Sequence, residues 1–341
     1  MIVGDRFASG RSQMKAIEVA TFGMPHEVCR CVEVADVGAP AADEVVVEID
    51  AAPINPADLL MIQGKYPGPA NLPARLGIEG AGRVSAVGKG IISVAVGDCV
   101  ISLARNNWAQ KIKVKSDMVI KVAGDIDVRQ LAMLKVNPAT AHLMLRDYAQ
   151  LKSGDWVIQN AANSAVGRHL IRLSGARGVR TVNLVRREAL IDELKGIGAD
   201  VVLVDGGDIV ERVKAETREA EIKLGLDAIG GEASMRIAAC LGDRGTVVNY
   251  GFLSGKPCMI TPTQAIVHGI TLTGFWLVRS LRAMARADIE ALYRELAARF
   301  AEGTLDVPIE ATYGLEQIEQ ALSHAEREGR GGKILLAPNG P

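Results

Sequence analysis

Arg186 and Arg187 stand side by side at the end of a short apolar run, 180–185 (RTVNLV). The apolar run before it, 156–160 (WVIQN), leads into Gln159-Asn160-Ala161-Ala162-Asn163-Ser164-Ala165-Val166-Gly167. Small residues dominate that turn, and an amphipathic stretch over 164–175 follows it. A strand, a tight turn and a helix start gather backbone N–H groups where a pyrophosphate could sit. Only Gly167 fits the glycine fingerprint of such turns, so the motif alone also suits an ordinary strand-to-helix connection. The next strand end separates the dinucleotides. A carboxylate there would hold ribose hydroxyls and repel a 2′-phosphate, whereas guanidinium binds that phosphate through charge-assisted, often bidentate bonds. Arg186 and Arg187 therefore predict NADPH as cofactor; solvated loop arginines are the other reading.

Other reactive residue types are scattered. The cysteines are Cys29, Cys31, Cys99, Cys240 and Cys258, and the one close pair has a single intervening residue, which is not zinc-finger spacing. They read as reduced thiols of a cytosolic protein, so a cytoplasmic location is expected. The histidines 26, 142, 169, 268 and 324 show no spacing of a ligand set or a nucleophilic triad. No metal site is expected. A formal net charge of -1 offers no global field for nucleic acid or an anionic membrane. No apolar run approaches the ~20 residues of a membrane span.

The elements that must position these residues fall into two regions. From 14 to about 130 the chain is strand-like and turn-rich, with alternation over 44–49 and glycine-bounded runs at 80–87 and 97–101. This is the texture of a small, partly open β-barrel. From 156 onward, apolar strands at 156–160, 180–185, 200–204, 224–229, 245–250 and 270–277 alternate with helical stretches such as 164–175 and 209–219. Six strands joined by crossovers predict a parallel, doubly wound sheet. A helix over 286–302 ends at Gly303, and the tail returns to strand-like pieces at 309–313 and 333–336. About 35 residues are too few for a domain, so the tail should pack back on the first one. The expected organisation is α/β: an extension over 1–13, a β-rich domain of 14–135 with 304–341, and a cofactor domain of 136–303.

Several strings resemble the medium-chain dehydrogenase/reductase superfamily: Gly77-Ile78-Glu79-Gly80-Ala81-Gly82, Val87-Gly88, Val96-Gly97-Asp98 and Gly198-Ala199-Asp200. The resemblance implies a GroES-like substrate domain beside a Rossmann domain. In the superfamily's zinc enzymes a His follows the first of these glycines, where this chain has Ile78. The two cysteine regions read Ile54-Asn55-Pro56-Ala57-Asp58 and Val136-Asn137-Pro138, with no thiol. Without those ligands a tetrahedral zinc site lacks its donors.

Within the zinc-free members the chain is similar to the mitochondrial-type 2-enoyl thioester reductases. Ala52 to Asp58, Met61 to Tyr66, Val136 to Ala141, the turn at Gln159 to Ser164, Leu184-Val185-Arg186 and Gly274-Phe275-Trp276-Leu277 carry this likeness. It implies hydride transfer from NADPH to the β-carbon of a trans-2-enoyl thioester, with Tyr66 supplying or positioning the proton for the α-carbon. It implies cofactor contacts from Asn137, Asn163, Ser164, Ala165, Val166, Arg186, Arg187, Tyr250, Gly251, Phe252, Leu253, Phe275, Trp276, Leu277 and Lys333. Homodimers paired through the last sheet strand are implied too, with a small-molecule or thioester substrate carried on coenzyme A or acyl carrier protein. Quinone or enone reduction by NADPH is the alternative. A non-catalytic NADP(H) sensor on the same fold is the third reading.

Overall fold

The computed structural model describes residues 12–340. Most of the expected extension, residues 1–11, lies outside them, and Gln13 already belongs to the first strand, Gln13–Val19. The chain divides into two compact units, one running to Lys135 and resuming at Val307, the other Val136–Asp306.

The first unit is built on a seven-stranded sheet. Its order is Ile309–Tyr313, Lys333–Leu336, Glu44–Pro53, Gly80–Val87, Cys99–Ser102 and Val119–Lys121, with Lys111–Lys115 also on Glu44–Pro53. The tail thus enters the sheet as Lys333–Leu336, parallel to Ile309–Tyr313 and antiparallel to Glu44–Pro53. A smaller sheet pairs Gln13–Val19 with Cys29–Ala35 and Ala74–Arg75. Strands with one face in the core alternate in exposure, and Ile17, Ile49, Ile112 and Leu336 all point into one cluster around Trp108. Gly82 is required where two strands press together: a Cβ there would lie 1.8 Å from the Glu48 carbonyl oxygen.

In the second unit six parallel strands lie in the order Val201–Val204, Arg180–Val185, Trp156–Gln159, Ile222–Asp227, Thr246–Asn249, Thr271–Gly274. That is the 3-2-1-4-5-6 order of a dinucleotide-binding sheet. Its strands bury both faces. Ile158, Val182, Leu184, Ile222 and Val247 pack with Ile237 in one cluster, while Val185 and Val202 pack with Ile171 and Leu194 in another. One expected element differs. The apolar run 270–277 is not one strand: it ends at Gly274, and Leu277 opens the helix Leu277–Ala283. Among the described residues no helix is long and apolar enough to cross a membrane.

Candidate active site

In a sheet of this order the chain reverses direction between the first and fourth strands, and ligands bind beyond the carboxyl ends at that point. Here those ends are Gln159 and Asp227. A buried polar network ties them. Asn160 Nδ2 donates to Asp227 Oδ1 at 2.6 Å, and its Oδ1 accepts from Ala228 N at 2.8 Å. Asn249 Nδ2 donates to Asp227 Oδ2 at 2.8 Å, and the amides of Ile229 and Gly230 also reach the carboxylate. With every oxygen engaged, the network holds three strand ends in fixed register.

The predicted phosphate turn sits on this base. Ser164 caps the helix Ala165–Ala176, its hydroxyl accepting from Gly167 N at 3.1 Å. The other amides of the first helical turn have no intrahelical acceptor. Gly167 earns its place by packing: a Cβ would stand 2.4 Å from the Ala162 carbonyl oxygen. Asn163, Ser164, Ala165 and Val166 therefore form a close-fitting, anion-ready rim.

The second unit brings most of the predicted cofactor residues to the carboxyl ends of its strands. Arg186 and Arg187 follow Val185 and are exposed. The nearest strand-end carboxylate, Asp205, joins that end through its amide on the Val185 carbonyl at 2.8 Å. Its own oxygens are taken by Arg236, at 2.8 and 2.6 Å. The Asp205 carboxylate is thus paired with Arg236 at the strand end next to the arginine pair. Tyr250 and Gly251 follow Thr246–Asn249, and Phe275, Trp276 and Leu277 follow Thr271–Gly274. Phe252 and Leu253 lie on the same connection as Tyr250 but are exposed. Asn137 opens the helix Asn137–Asp147.

Three of these residues bury polar side-chain atoms. Asn137 Nδ2 and Trp276 Nε1 make no hydrogen bond, and the Tyr250 hydroxyl has Ser164 of the turn as its polar neighbour. Burial also pushes the Tyr250 phenol above its ordinary value, with Asp227 adding to the rise and Ser164 opposing it. A buried polar atom without a partner costs about 1–3 kcal/mol. At residues proposed to meet a nicotinamide cofactor, such donors fit a ligand that supplies acceptors.

The remaining predicted residues, Tyr66 and Lys333, belong to the first unit. Tyr66 lies in the loop after the helix Pro56–Ile62. Lys333 is buried at 8% exposure, and its ammonium donates to Asn55 Oδ1 and, at 3.5 Å, to the Ile54 carbonyl. It is part of a charge network absent from the sequence reading. Asn55 Nδ2 donates to Glu79 Oε1 at 2.8 Å, and Asp58 accepts from the amides of Asn55 and Ile78 at 2.9 and 3.0 Å. Lys135 donates to the carbonyls of Ile78, Leu103 and Ala104. Burial sets the proton affinities here. It pushes Asp58 up to about 7, with two amide bonds and Lys333 opposing, and pushes Lys333 down to about 8. The signal available in the sequence was a lone lysine inside the apolar run AMLKVNP and single acids, Asp58 and Glu79, in otherwise apolar strings.

Among the described residues no group of three or more His, Cys, Asp or Glu could hold a metal ion. The Ile78 position contributes a backbone amide and carbonyl to Asp58 and Lys135.

A GroES-like barrel with a Rossmann unit carrying a phosphate turn defines the architecture of the medium-chain dehydrogenases and reductases. Residues 41–125 match the alcohol dehydrogenase GroES-like domain, and residues 165–298 match the zinc-binding dehydrogenase family. The mitochondrial enoyl-[acyl-carrier-protein] reductase of Dictyostelium discoideum is 31% identical over 95% of this chain and 95% of its own. The solved complex of Etr1p with NADP and crotonyl-CoA superposes with a TM-score of 0.86 at 26% identity, covering 96% of this chain and 100% of that one. The quinone oxidoreductase of Pseudomonas syringae pv. Tomato DC3000 superposes with a TM-score of 0.86 at 26% identity, covering 95% and 100%. The chain belongs to the medium-chain dehydrogenase/reductase superfamily, in the family of these enoyl-[acyl-carrier-protein] reductases.

The cytoplasmic location expected from the sequence is overturned by the same comparison. The curated relatives, 31–37% identical to this chain, are mitochondrial proteins. Reduced, unpaired cysteines say which redox chemistry a compartment permits, and more than one compartment permits it.

Proposed function

We propose that this protein reduces an activated C=C bond with NADPH, converting a trans-2-enoyl thioester to the saturated acyl thioester. One observation carries the cofactor half: the unpartnered buried donors of Asn137 and Trp276 in the unit that bears the phosphate turn. The acceptor is drawn from the relatives, whose names specify enoyl reduction, and from the solved complex with crotonyl-CoA.

Bound NADPH supplies a hydride to the β-carbon of the enoyl group. The chain's own residues do the rest. Asn163 to Val166 hold the pyrophosphate on the helix start, and Arg186 and Arg187 hold the 2′-phosphate. Asn137, Tyr250 to Leu253, Phe275 to Leu277 and Lys333 shape the remaining cofactor surface, Lys333 acting through Asn55. As charge moves onto the thioester oxygen, a proton must reach the α-carbon. A phenol of ordinary pKa ~10 keeps its proton near neutrality, so Tyr66 serves as donor or hydrogen-bond partner. The conjugated carbonyl accepts the electron pair itself. The thioester is carried on coenzyme A or acyl carrier protein. The edge strand Thr271–Gly274 is proposed to pair two copies into a homodimer.

NADPH oxidation with crotonyl-CoA, set beside simple quinones, tests the reading. Enoyl turnover should dominate, and Tyr66→Phe should lower it roughly 10²-fold. A second reading, quinone reduction, is favoured by the equal superposition on the Pseudomonas quinone oxidoreductase. Rapid quinone turnover without enoyl turnover would establish it in place of the first. Tight NADPH binding with neither activity would leave a sensor.

A further inference from the structure

The loop that carries Tyr66 is built of residues that do not propagate a helix or a strand. Gly64 takes a left-handed φ of 72°, Pro67 has no N–H to donate, and Gly68 adds a second residue without a side chain. The residue before a proline is biased to extended backbone, so Tyr66 cannot continue the preceding helix. Two anchors flank it. On the near side, Lys65 N donates to the Leu60 carbonyl at 2.8 Å and Gly64 N to the Met61 carbonyl at 3.0 Å. On the far side the anchor comes from a distant segment. Arg105 Nη2 donates to the Pro67 carbonyl at 3.0 Å and lies 2.9 Å from the Met61 sulfur. One guanidinium thus ties the outer limb of the loop to the helix Pro56–Ile62 that the loop leaves.

Arg105 is itself held in place from below. The buried Lys135 ammonium takes the carbonyls of Leu103 and Ala104, at 2.8 and 2.9 Å, together with that of Ile78. Asn107 Nδ2 takes the carbonyls of Ala104 and Gly77, at 3.0 and 2.8 Å. The backbone on both sides of Arg105 is therefore fixed by buried donors, while the guanidinium reaches outward to the loop.

We propose that Arg105 is a positioning residue for Tyr66: it clamps the 64–68 loop and so fixes where the phenol stands, with Lys135 as the clamp's buried footing. The proposal rests on the proton-donor role of Tyr66 given above. Positioning matters because proton transfer needs the donor within hydrogen-bond reach, and a misplacement of about 1 Å can cost on the order of 10²-fold in rate.

The experiment combines Arg105→Ala, Arg105→Lys, Tyr66→Phe and the double variant Arg105→Ala/Tyr66→Phe. It reads NADPH oxidation with crotonyl-CoA and amide hydrogen exchange over residues 63–68. Arg105→Ala should lower kcat roughly tenfold with the KM for NADPH unchanged, and exchange across the loop should quicken about tenfold or more. Arg105→Lys keeps one donor for the Pro67 carbonyl and should restore part of both. In the Tyr66→Phe background, Arg105→Ala should cost less than about twofold more, since neighbours acting through one group are non-additive. Unchanged exchange in Arg105→Ala would overturn the clamp. Quickened exchange with unchanged kcat, or equal losses in both backgrounds, would overturn the positioning of Tyr66. If Tyr66→Phe alone leaves turnover intact, the proton-donor reading fails and the positioning role falls with it. The exchange data then still decide whether the clamp exists.

Discussion

Replacing both Arg186 and Arg187 with alanine should separate the two nicotinamide cofactors. Both side chains are exposed at the end of Arg180–Val185, so their removal leaves no cavity and should hardly touch stability. A hydrogen bond to a charged group is worth about 1.5–3 kcal/mol, and solvent screening at an exposed site cuts that to about 1–1.5 kcal/mol. Two such contacts give about 2–3 kcal/mol, which at 1.36 kcal/mol per decade is roughly a 30- to 150-fold rise in the KM for NADPH. NADH lacks the 2′-phosphate, so its KM should move less than about twofold. Steady-state kinetics with both cofactors at fixed crotonyl-CoA measure the pair of values. Raising ionic strength from about 0.1 M to about 1 M shortens the Debye length from ~10 to ~3 Å and should weaken NADPH binding more in the parent than in the variant. Asp205 offers an internal control, because Arg236 holds both its oxygens. Arg236→Ala should release that carboxylate beside the phosphate position and raise the KM for NADPH alone, by several-fold. Equal changes for NADH and NADPH in the arginine variants would refute the reasoning.

Tyr250→Phe removes a buried hydroxyl that neighbours Ser164 of the phosphate turn, so the Kd for NADPH should rise about five- to tenfold while the cofactor-free protein loses no more than about 1 kcal/mol of stability; an unchanged Kd contradicts this. Gly167→Ala places a Cβ 2.4 Å from the Ala162 carbonyl oxygen and should cost about 1–3 kcal/mol of stability, seen as a lowered thermal midpoint. An unchanged midpoint would show that the helix can shift away freely. Lys333 is held down to about 8 from 10.5, chiefly by burial, so between those values the unfolded chain binds a proton that the folded chain has lost. Stability should rise with pH across that window, its full contribution being present above the unfolded value and lost as pH falls through the folded one. Urea midpoints on either side of the window should show the rise in the parent and a smaller one in Lys333→Met; parallel slopes in the two would sink it.

The parts of this molecule legible in its sequence are those fixed by neighbours along the chain. The strands Arg180–Val185, Gly80–Val87, Ile309–Tyr313 and Lys333–Leu336 stand at the expected bounds because glycine, proline and charge punctuate them. The run 270–277 departs from expectation for a physical reason: an apolar stretch has no period to say where a strand stops. Here the ladder ends as Phe275 N meets the Asn249 carbonyl, and Trp276 caps a helix instead. The pairing of Asn55, Asp58, Glu79, Lys135 and Lys333 into one buried network is not legible for the opposite reason. Its partners lie up to 279 residues apart, and nothing local forces a lysine inward. Arg105 is the same case, since only the folded chain reveals that its guanidinium meets the Pro67 carbonyl.

The insertion of Lys333–Leu336 between Ile309–Tyr313 and Glu44–Pro53 also sets an order of birth for the molecule. A ribosome adds roughly 5–20 residues each second, so the interval between Ile54 and Lys333 lasts roughly 15–60 s. For most of it, Asn55, Asp58, Glu79 and Lys135 have been made while Lys333 has not, and the Ala52-Pro53 end of the Glu44–Pro53 strand lacks its Leu335-Leu336 partner. The unit Val136–Asp306 is contiguous and can settle in that time. The newborn first unit therefore waits with the second of its two buried lysines still to come. That lysine and the missing sheet partner arrive together in the same four-residue strand.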